Sequence, residues 1–309
     1  MKTPCHNWRL PGCIGLLLSA CLLPIPLSHG ATHVILTCNI RVALPEDDAN
    51  GFGWDGRKAL CAEVMRARKP DIVCYQEALR TQVEDLKKFF PEFVFFGFDG
   101  PEMDAHPEGY HGIAKNVIMF SRERYEMVSA GGFWLSETPH LPGSLSWGSA
   151  RARHVNWVRL KERVTGRQFR VLNVHLDHRS QPAREEQIKM VLAEAASYPA
   201  EFPQIFAGDF NAPSSNAVFG FIKAEGWHDT YKDIHGDADP GFTAHQFLGE
   251  KFAEKFQEKS VPGRIDFIFR KGRARTEAAA IIKDQKDGVF PSDHYFVSAA
   301  FMLPGDVQP

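Results

Sequence analysis

The chain has 309 residues, 44% of them hydrophobic and 24% charged, and its 36 Lys and Arg against 38 Asp and Glu leave a formal net charge of −2. That balance supplies ample core material and excludes wholesale disorder, and it offers no general attraction to a polyanion such as nucleic acid, although a local basic groove stays open. The length admits one large domain or two ordinary ones.

Lys2 and Arg9 precede an apolar stretch from Cys13 to Leu27, which meets small residues at Ser28, Gly30 and Ala31. The pattern reads as a signal peptide over residues 1–30, and a permanent membrane span is the weaker reading because the run is short and broken by Pro24 and Pro26. The mature protein is then expected to be secreted or periplasmic. Leu18-Ser19-Ala20-Cys21 also resembles a bacterial lipobox, in which Cys21 would be lipidated and hold the protein at a membrane. Of the mature cysteines, Cys38 and Cys74 sit in apolar strand-like runs and read, with Cys61, as small buried hydrophobes; no CxxC pair suggests zinc.

After the leader, His33 to Ile40 reads as a core strand, and Leu60, Val64 and Ala67 recur at helical spacing until Pro70 stops the helix. Asp71 to Tyr75 is a second buried strand, closed by Gln76-Glu77, so the chain opens as strand, helix, strand. Phe93–Phe98, Asn116–Phe120, Gly131–Leu135, His154–Leu160 and Gln168–His175 then read as consecutive strands, too many for a simple doubly wound sheet. A helix follows over Arg184–Tyr198, a strand over Gln204–Ala207, a helix over Asn216–Glu225, and two more strands over Arg264–Arg270 and Tyr295–Leu303. No linker or repeat divides the chain, and one domain over residues 31–305, acting as a monomer, is expected.

Polar residues placed at strand ends can be aimed by a rigid sheet at one point. Asn39, Glu77, the pairs His175/Asp177, Asp209/Asn211 and Asp293/His294, and Asp266 have this placement. Their donors are carboxylates, amides and imidazoles without thiolate, which suits Mg²⁺, Mn²⁺ or Ca²⁺. Mg²⁺ takes one or two protein carboxylates and leaves its other positions to water and phosphate, so a phosphate ester is the natural substrate. In its hydrolysis Asp209 would deprotonate the attacking water, while Asn211, His175 and His294 donate to phosphoryl oxygens and Asp266 fixes an imidazole tautomer. Each residue alone has a plainer reading: Asn39 as a turn residue, Glu77 as a helix cap, Asp209 and Asn211 as an Asx-turn before Pro213. The joint arrangement carries the functional reading.

These residues stand in Thr37-Cys38-Asn39-Ile40-Arg41, Pro70-Asp71-Ile72-Val73 with Gln76-Glu77, Asn173-Val174-His175-Leu176-Asp177-His178, Gly208-Asp209-Phe210-Asn211, Arg264-Ile265-Asp266-Phe267-Ile268 and Ser292-Asp293-His294. In that order and spacing the chain resembles the endonuclease/exonuclease/phosphatase superfamily. The resemblance implies an α/β (α+β) four-layer sandwich of two mixed β-sheets flanked by helices. It implies Glu77 as principal metal ligand with Asn39 and Asp293 near the ion, Asp209 and Asn211 at the attacking water, His175 and His294 on the phosphate, and Asp266 supporting His294. Phe133-Trp134-Leu135-Ser136-Glu137-Thr138-Pro139 and Thr243-Ala244-His245-Gln246-Phe247 resemble an exported bacterial subgroup, and Arg153, Trp147, His245 and Asp177 are its candidate substrate contacts.

The expected activity is a divalent-metal-dependent phosphoesterase acting on a small phosphorylated molecule, such as a sugar phosphate or lipid headgroup. An exported nuclease is the alternative, favoured by a cluster of Arg122, Arg124, Arg151 and Arg153 and opposed by the acidic balance. A non-catalytic binding protein on the same fold is the third reading, and the presence of Glu77, Asp209 and His294 argues against it.

Overall fold

Alternating apolar residues build two sheets whose inner faces meet, and the computed structural model describes them over residues 1–2, 32–104, 113–238, 240–256 and 262–303. In chain order the first elements are β1 (Thr32–Asn39), α1 (Pro45–Ala49), α2 (Trp54–Ala67), β2 (Ile72–Gln76), α3 (Arg80–Phe89), β3 (Phe93–Phe96) and β4 (Ile118–Ser121). The middle holds β5 (Tyr125–Trp134), β6 (His154–Glu162), β7 (Gln168–His175), α4 (Gln181–Ala195) and β8 (Gln204–Asp209). The last are α5 (Ala217–Ala224), β9 (His228–Asp229), α6 (Thr230–His235), β10 (Asp266–Lys271), β11 (Arg275–Ile282) and β12 (Phe296–Met302).

The strands form one six-stranded sheet in the order β11-β12-β1-β2-β4-β3 and a second in the order β5-β6-β7-β8-β10-β9. Both are mixed, since β1 and β2 pair in parallel and so do β7 and β8, while their other neighbours run antiparallel. Period-two alternation assigns each strand residue to a face. Ile35, Ile72 and Cys74 of the first sheet meet Val171, Ile205, Ala207 and Ile268 of the second in a shared core. Leu36, Val73 and Tyr75 point outward onto Cys61, Val64 and Met65 of α2 and Leu86 of α3. Leu172, Val174 and Phe206 point outward onto Ile188 and Val191 of α4 and Ile222 of α5. The result is the four-layer sandwich, with each fully buried Leu, Ile or Val contributing about 1.5–3 kcal/mol.

Ser180 starts α4 where its Oγ accepts from Ala183 N at 3.2 Å, with Pro182 in the first turn, and Asn216 caps α5 by accepting from Val218 N at 3.1 Å. The strand β11 has no counterpart in the sequence reading, because its centre Glu277-Ala278-Ala279-Ala280 lacks β-branched residues and carries no alternation. Cys38, Cys61 and Cys74 are free and buried. Residues 3–30 of the segment read as a signal peptide, with Cys21, lie outside the described residues. Among the described residues no helix is long and apolar enough to cross a membrane.

Candidate active site

At one end of the sandwich the inward positions change from apolar to polar on every central strand. On β1, Ile35 is followed by Thr37 and Asn39; on β2, Ile72 and Cys74 by Gln76; on β7, Val171 by Asn173 and His175; on β8, Ile205 and Ala207 by Asp209. The registers align these changes, since Asn39 pairs with Gln76, His175 with Asp209, and Asp209 with Asp266. Beneath them Gln76 Nε2 donates to Asn173 Oδ1 at 2.7 Å across the two sheets, and Asn173 Nδ2 donates to Tyr75 O and Val117 O at 2.8 and 3.0 Å. This satisfied buried layer locks the sheets together directly under the site.

The site itself joins both sheets. Asn39 Nδ2 donates to Asp209 Oδ2 at 3.0 Å, and Asn211 N donates to Asp209 Oδ1 at 2.8 Å. His175 Nε2 lies 3.4 Å from Asp209 Oδ2. His294 Nδ1 meets Asp266 Oδ2 at 2.9 Å in a buried pair, which leaves the other ring nitrogen to face a ligand. Ser292 Oγ donates to Asn39 O at 2.7 Å and so ties the loop carrying Asp293 and His294 to the end of β1. Arg57 reinforces this junction by donating to Ile40 O, Arg41 O and Pro291 O. Glu77 and Asn211 adopt left-handed backbone, φ 63° and 49°, a conformation costly for Glu that turns its side chain back over the sheet end, where Oε2 accepts from Val42 N at 3.0 Å.

Electrostatics divide these groups. Burial, reinforced by the Asp266 carboxylate, pushes Asp209 up to about 7. Burial works against protonation of His294, but Asp266, Asp293 and Asp209 outweigh it and hold its pKa well above the ordinary imidazole range. His175 is driven well below that range by burial and then by the Arg153 charge, and is neutral. Asp293 is raised by burial and by Glu77, although His294 and Arg41 oppose the shift. Glu77 remains lowered because Val42 N, His294, Arg41 and Asn39 outweigh its burial.

Two groupings of donors could hold a cation. Ligand atoms of Asp209, Asp266 and His294 all lie within 4.8 Å of one another. Asp209, however, already accepts from Asn39 and Asn211, and the His294 Nδ1 is engaged with Asp266. Glu77 and Asp293 repel each other, with Arg41 Nη1 3.6 Å from Asp293 as a partial counter-charge, and Asn39 lies beside Glu77 as a hydrogen-bond donor while its amide oxygen accepts from Arg41 N. An all-oxygen set with like-charge repulsion fits a hard divalent ion better than a site built on an occupied imidazole.

The structure thus brings together Asn39, Glu77, His175, Asp209, Asn211, Asp266, Asp293 and His294. Two expected substrate contacts are corrected. Asp177 is fully buried, and its oxygens accept from Ser149 Oγ, Ala150 N, Arg179 N and Ser180 N, so it organises the loop before α4 and has nothing left for a substrate. His245 is 0% exposed, packed with tilted rings between Phe290 and Tyr295 with Nδ1 accepting from Gly249 N, while its backbone N–H donates to Asp293 O. It positions the Asp293 loop by packing. Trp147 is half-buried in a left-handed turn whose carbonyl accepts from Ser180 Oγ, and Arg153 is buried beside His178. The expected arginine cluster is also corrected: Arg124 pairs with Asp71 and Glu162 at the opposite end of β2, far along the strand from the Glu77 end where Arg153 acts. Sequence reasoning missed Arg41, Arg57, Ser292 and His154, of which Arg41 and Ser292 stand in quoted motifs.

Solved structures share this arrangement of strands. An endonuclease/exonuclease/phosphatase from Bacteroides vulgatus superposes with TM-score 0.76 at 25% identity, over 88% of this chain and 99% of that one. A mannosyl-6-phosphatase of Bacteroides thetaiotaomicron superposes with TM-score 0.74 at 26% identity, over 87% and 99%. Two uncharacterised proteins of Acanthamoeba polyphaga mimivirus match in sequence, 30% identical over 106 residues and 25% over 164, or 33% and 52% of this chain. The match spans only 15% and 60% of those proteins' own lengths. The profile of the Endonuclease/Exonuclease/phosphatase family matches residues 36–294, a span that takes in Asn39, Glu77, His175, Asp209, Asp266 and His294, and the chain belongs to that family.

Proposed function

We propose that the protein is a divalent-metal-dependent phosphoesterase that hydrolyses a small phosphorylated molecule, with a sugar phosphate as the leading substrate class. The observation that carries the reading is the meeting of a carboxyl raised to about 7, Asp209, with a proton-holding His294–Asp266 pair and a repelling Glu77–Asp293 pair at one sheet end. The mannosyl-6-phosphatase relative, 26% identical over almost its whole length, supports the sugar phosphate.

Asp209, held by Asn39 and Asn211, is basic enough near neutral pH to take a proton from an attacking water. His294, charged through Asp266, donates to a phosphoryl oxygen, and neutral His175 adds a second hydrogen bond without charge. Glu77, Asp293 and Asn39 would hold Mg²⁺ or Mn²⁺, which when bound supplies Lewis-acid neutralisation of charge on the phosphoryl and leaving oxygens. Export through the amino-terminal signal belongs to the same proposal, with lipidation at Cys21 as its membrane-bound variant.

The test is a panel of nitrophenyl phosphate mono- and diesters, sugar 6-phosphates, phospholipids and single-stranded DNA, assayed with Mg²⁺, Mn²⁺ or Ca²⁺ and with chelator. Turnover should require the ion and fall by at least about 10²-fold in Asp209→Ala, the range expected for a lost general base. Absence of hydrolysis with every ion, or full turnover in Asp209→Ala, refutes the reading.

A further inference from the structure

Arg153 is 7% exposed, yet its guanidinium has no ion pair among the described residues. Its Nη2 lies 3.3 Å from His178 Nδ1, and its Nε is buried without a hydrogen-bond partner. Arg170 and Arg264 also leave buried guanidinium nitrogens without a partner, but each has a counter-charge, Glu194 and Asp229 respectively, and Arg57 donates to the carbonyls of Phe52, Ile40, Pro291 and Arg41. Asp177, which like Arg153 acts on His178, is committed to Ser149, Ala150, Arg179 and Ser180.

Arg153 directly precedes β6, whose Val155 pairs with Val174 of β7, so it stands beside the His175 end of that strand, and its charge acts on His154, His175 and His178. Arg179 adds positive charge around His178, which Asp177 opposes. The site is therefore polarised, acidic at Glu77 and Asp293 and basic beside His175. A buried cation without a counter-ion is costly, and an anion entering beside it removes that cost. A phosphomonoester carries about −1.5 to −2 at pH 7. A phosphodiester carries one negative charge and presents a neutral ester oxygen where the monoester presents a charged one. The extra charge is what an unpaired guanidinium rewards.

We infer that Arg153, beside His178 and the His175 end of β7 and without an ion pair among the described residues, selects a phosphomonoester dianion over a phosphodiester. The inference rests on the hydrolytic reading above and narrows its substrate class.

The experiment uses the purified full chain with Mg²⁺ and compares kcat/KM for p-nitrophenyl phosphate, bis(p-nitrophenyl) phosphate and a single-stranded oligonucleotide, in the native protein, Arg153→Met and Arg153→Lys. The native protein should prefer the monoester. Arg153→Met should lower monoester kcat/KM by about 100-fold, the size of one charge-assisted contact pair, with the monoester-to-diester ratio falling at least about tenfold and Arg153→Lys restoring part of it. Competitive inhibition of the residual diester hydrolysis by inorganic phosphate should weaken in parallel, a binding readout that requires a folded variant. A native preference for diester or oligonucleotide, or an equal loss on both esters in Arg153→Met, overturns the inference while leaving the hydrolase reading standing. Hydrolysis of neither ester nor of the wider panel, sugar 6-phosphates included, by the native protein with any of the three ions overturns that reading itself.

Discussion

Replacing Asp266 by Asn tests the most tightly specified contact of the site, because the amide keeps the shape of the carboxylate and removes only its charge. His294 Nδ1 and Asp266 Oδ2 are 2.9 Å apart, with the residues 8% and 1% exposed. A hydrogen bond to a charged group contributes about 1.5–3 kcal/mol net. At about 1.4 kcal/mol per tenfold, Asp266→Asn should lower kcat/KM by roughly 10–150-fold. The pH dependence should change as well. In the native protein burial would strip the His294 proton, and Asp266, Asp293 and Asp209 hold it to a pKa well above the ordinary value of 6.5. For such a raised pKa the stabilisation is complete below 6.5 and is lost as pH rises through the higher folded value. Without the Asp266 charge, burial gains weight and the proton leaves at lower pH. The alkaline limb of kcat/KM against pH should therefore move to lower pH. Ring-proton NMR of His294 in chelator should show the same displacement without reference to turnover. An alkaline limb in its native position, with kcat/KM within about threefold of native, would refute the reasoning.

Asp209→Asn should abolish measurable turnover yet raise the melting temperature in chelator at pH 8 by several degrees, about 1–2 kcal/mol. The sign follows from its raised carboxyl: the fold bears the full ionisation cost above about 7, progressively less on acidification, and none below the unfolded value of 3.8, so the gain should vanish by that pH. A variant no more stable at pH 8, by differential scanning calorimetry, would exclude this account. Glu77→Gln should lose the thermal shift produced by Mg²⁺, which for an ion at 100 times its Kd is about 2.7 kcal/mol; an undiminished shift assigns the ion to other residues. Gly208 has φ 154°, and a Cβ there would lie 2.1 Å from Val174 O. Gly208→Ala must separate β7 from β8, so urea unfolding should show a loss of about 2–4 kcal/mol, and a loss under about 0.5 kcal/mol would contradict the close approach.

Much of the scaffold was legible because buried strands announce themselves. The run Val34-Ile35-Leu36 and the run Ile72-Val73-Cys74-Tyr75 are apolar on both faces, as strands covered by a sheet on one side and helices on the other must be. Their polar ends, Asn39 and Gln76-Glu77, interrupt that pattern where the site lies. Edge strands gave less. The strand β5 begins at Tyr125, well before the expected Gly131, because residues from Glu126 to Gly131 are exposed or half-buried and show no alternation. Helix α3 was not read, since its short amphipathic turn carries only Gln82, Val83 and Leu86 to the interior.

Residue chemistry at six polar strand ends pointed to an oxygen-rich site, and the resemblance of the six motifs, in their order and spacing, to a known superfamily implied the family and the two-sheet fold. Only the tertiary structure decided which neighbours of those motifs face a ligand. Asp177 and His245 have the right chemistry in the right segments, but one is exhausted by four loop donors and the other is packed between Phe290 and Tyr295. Arg124 and Arg153, alike in the sequence, are set apart by whether a carboxylate stands beside them. Burial and pairing depend on contacts between segments far apart in the chain, and local sequence carries no record of them.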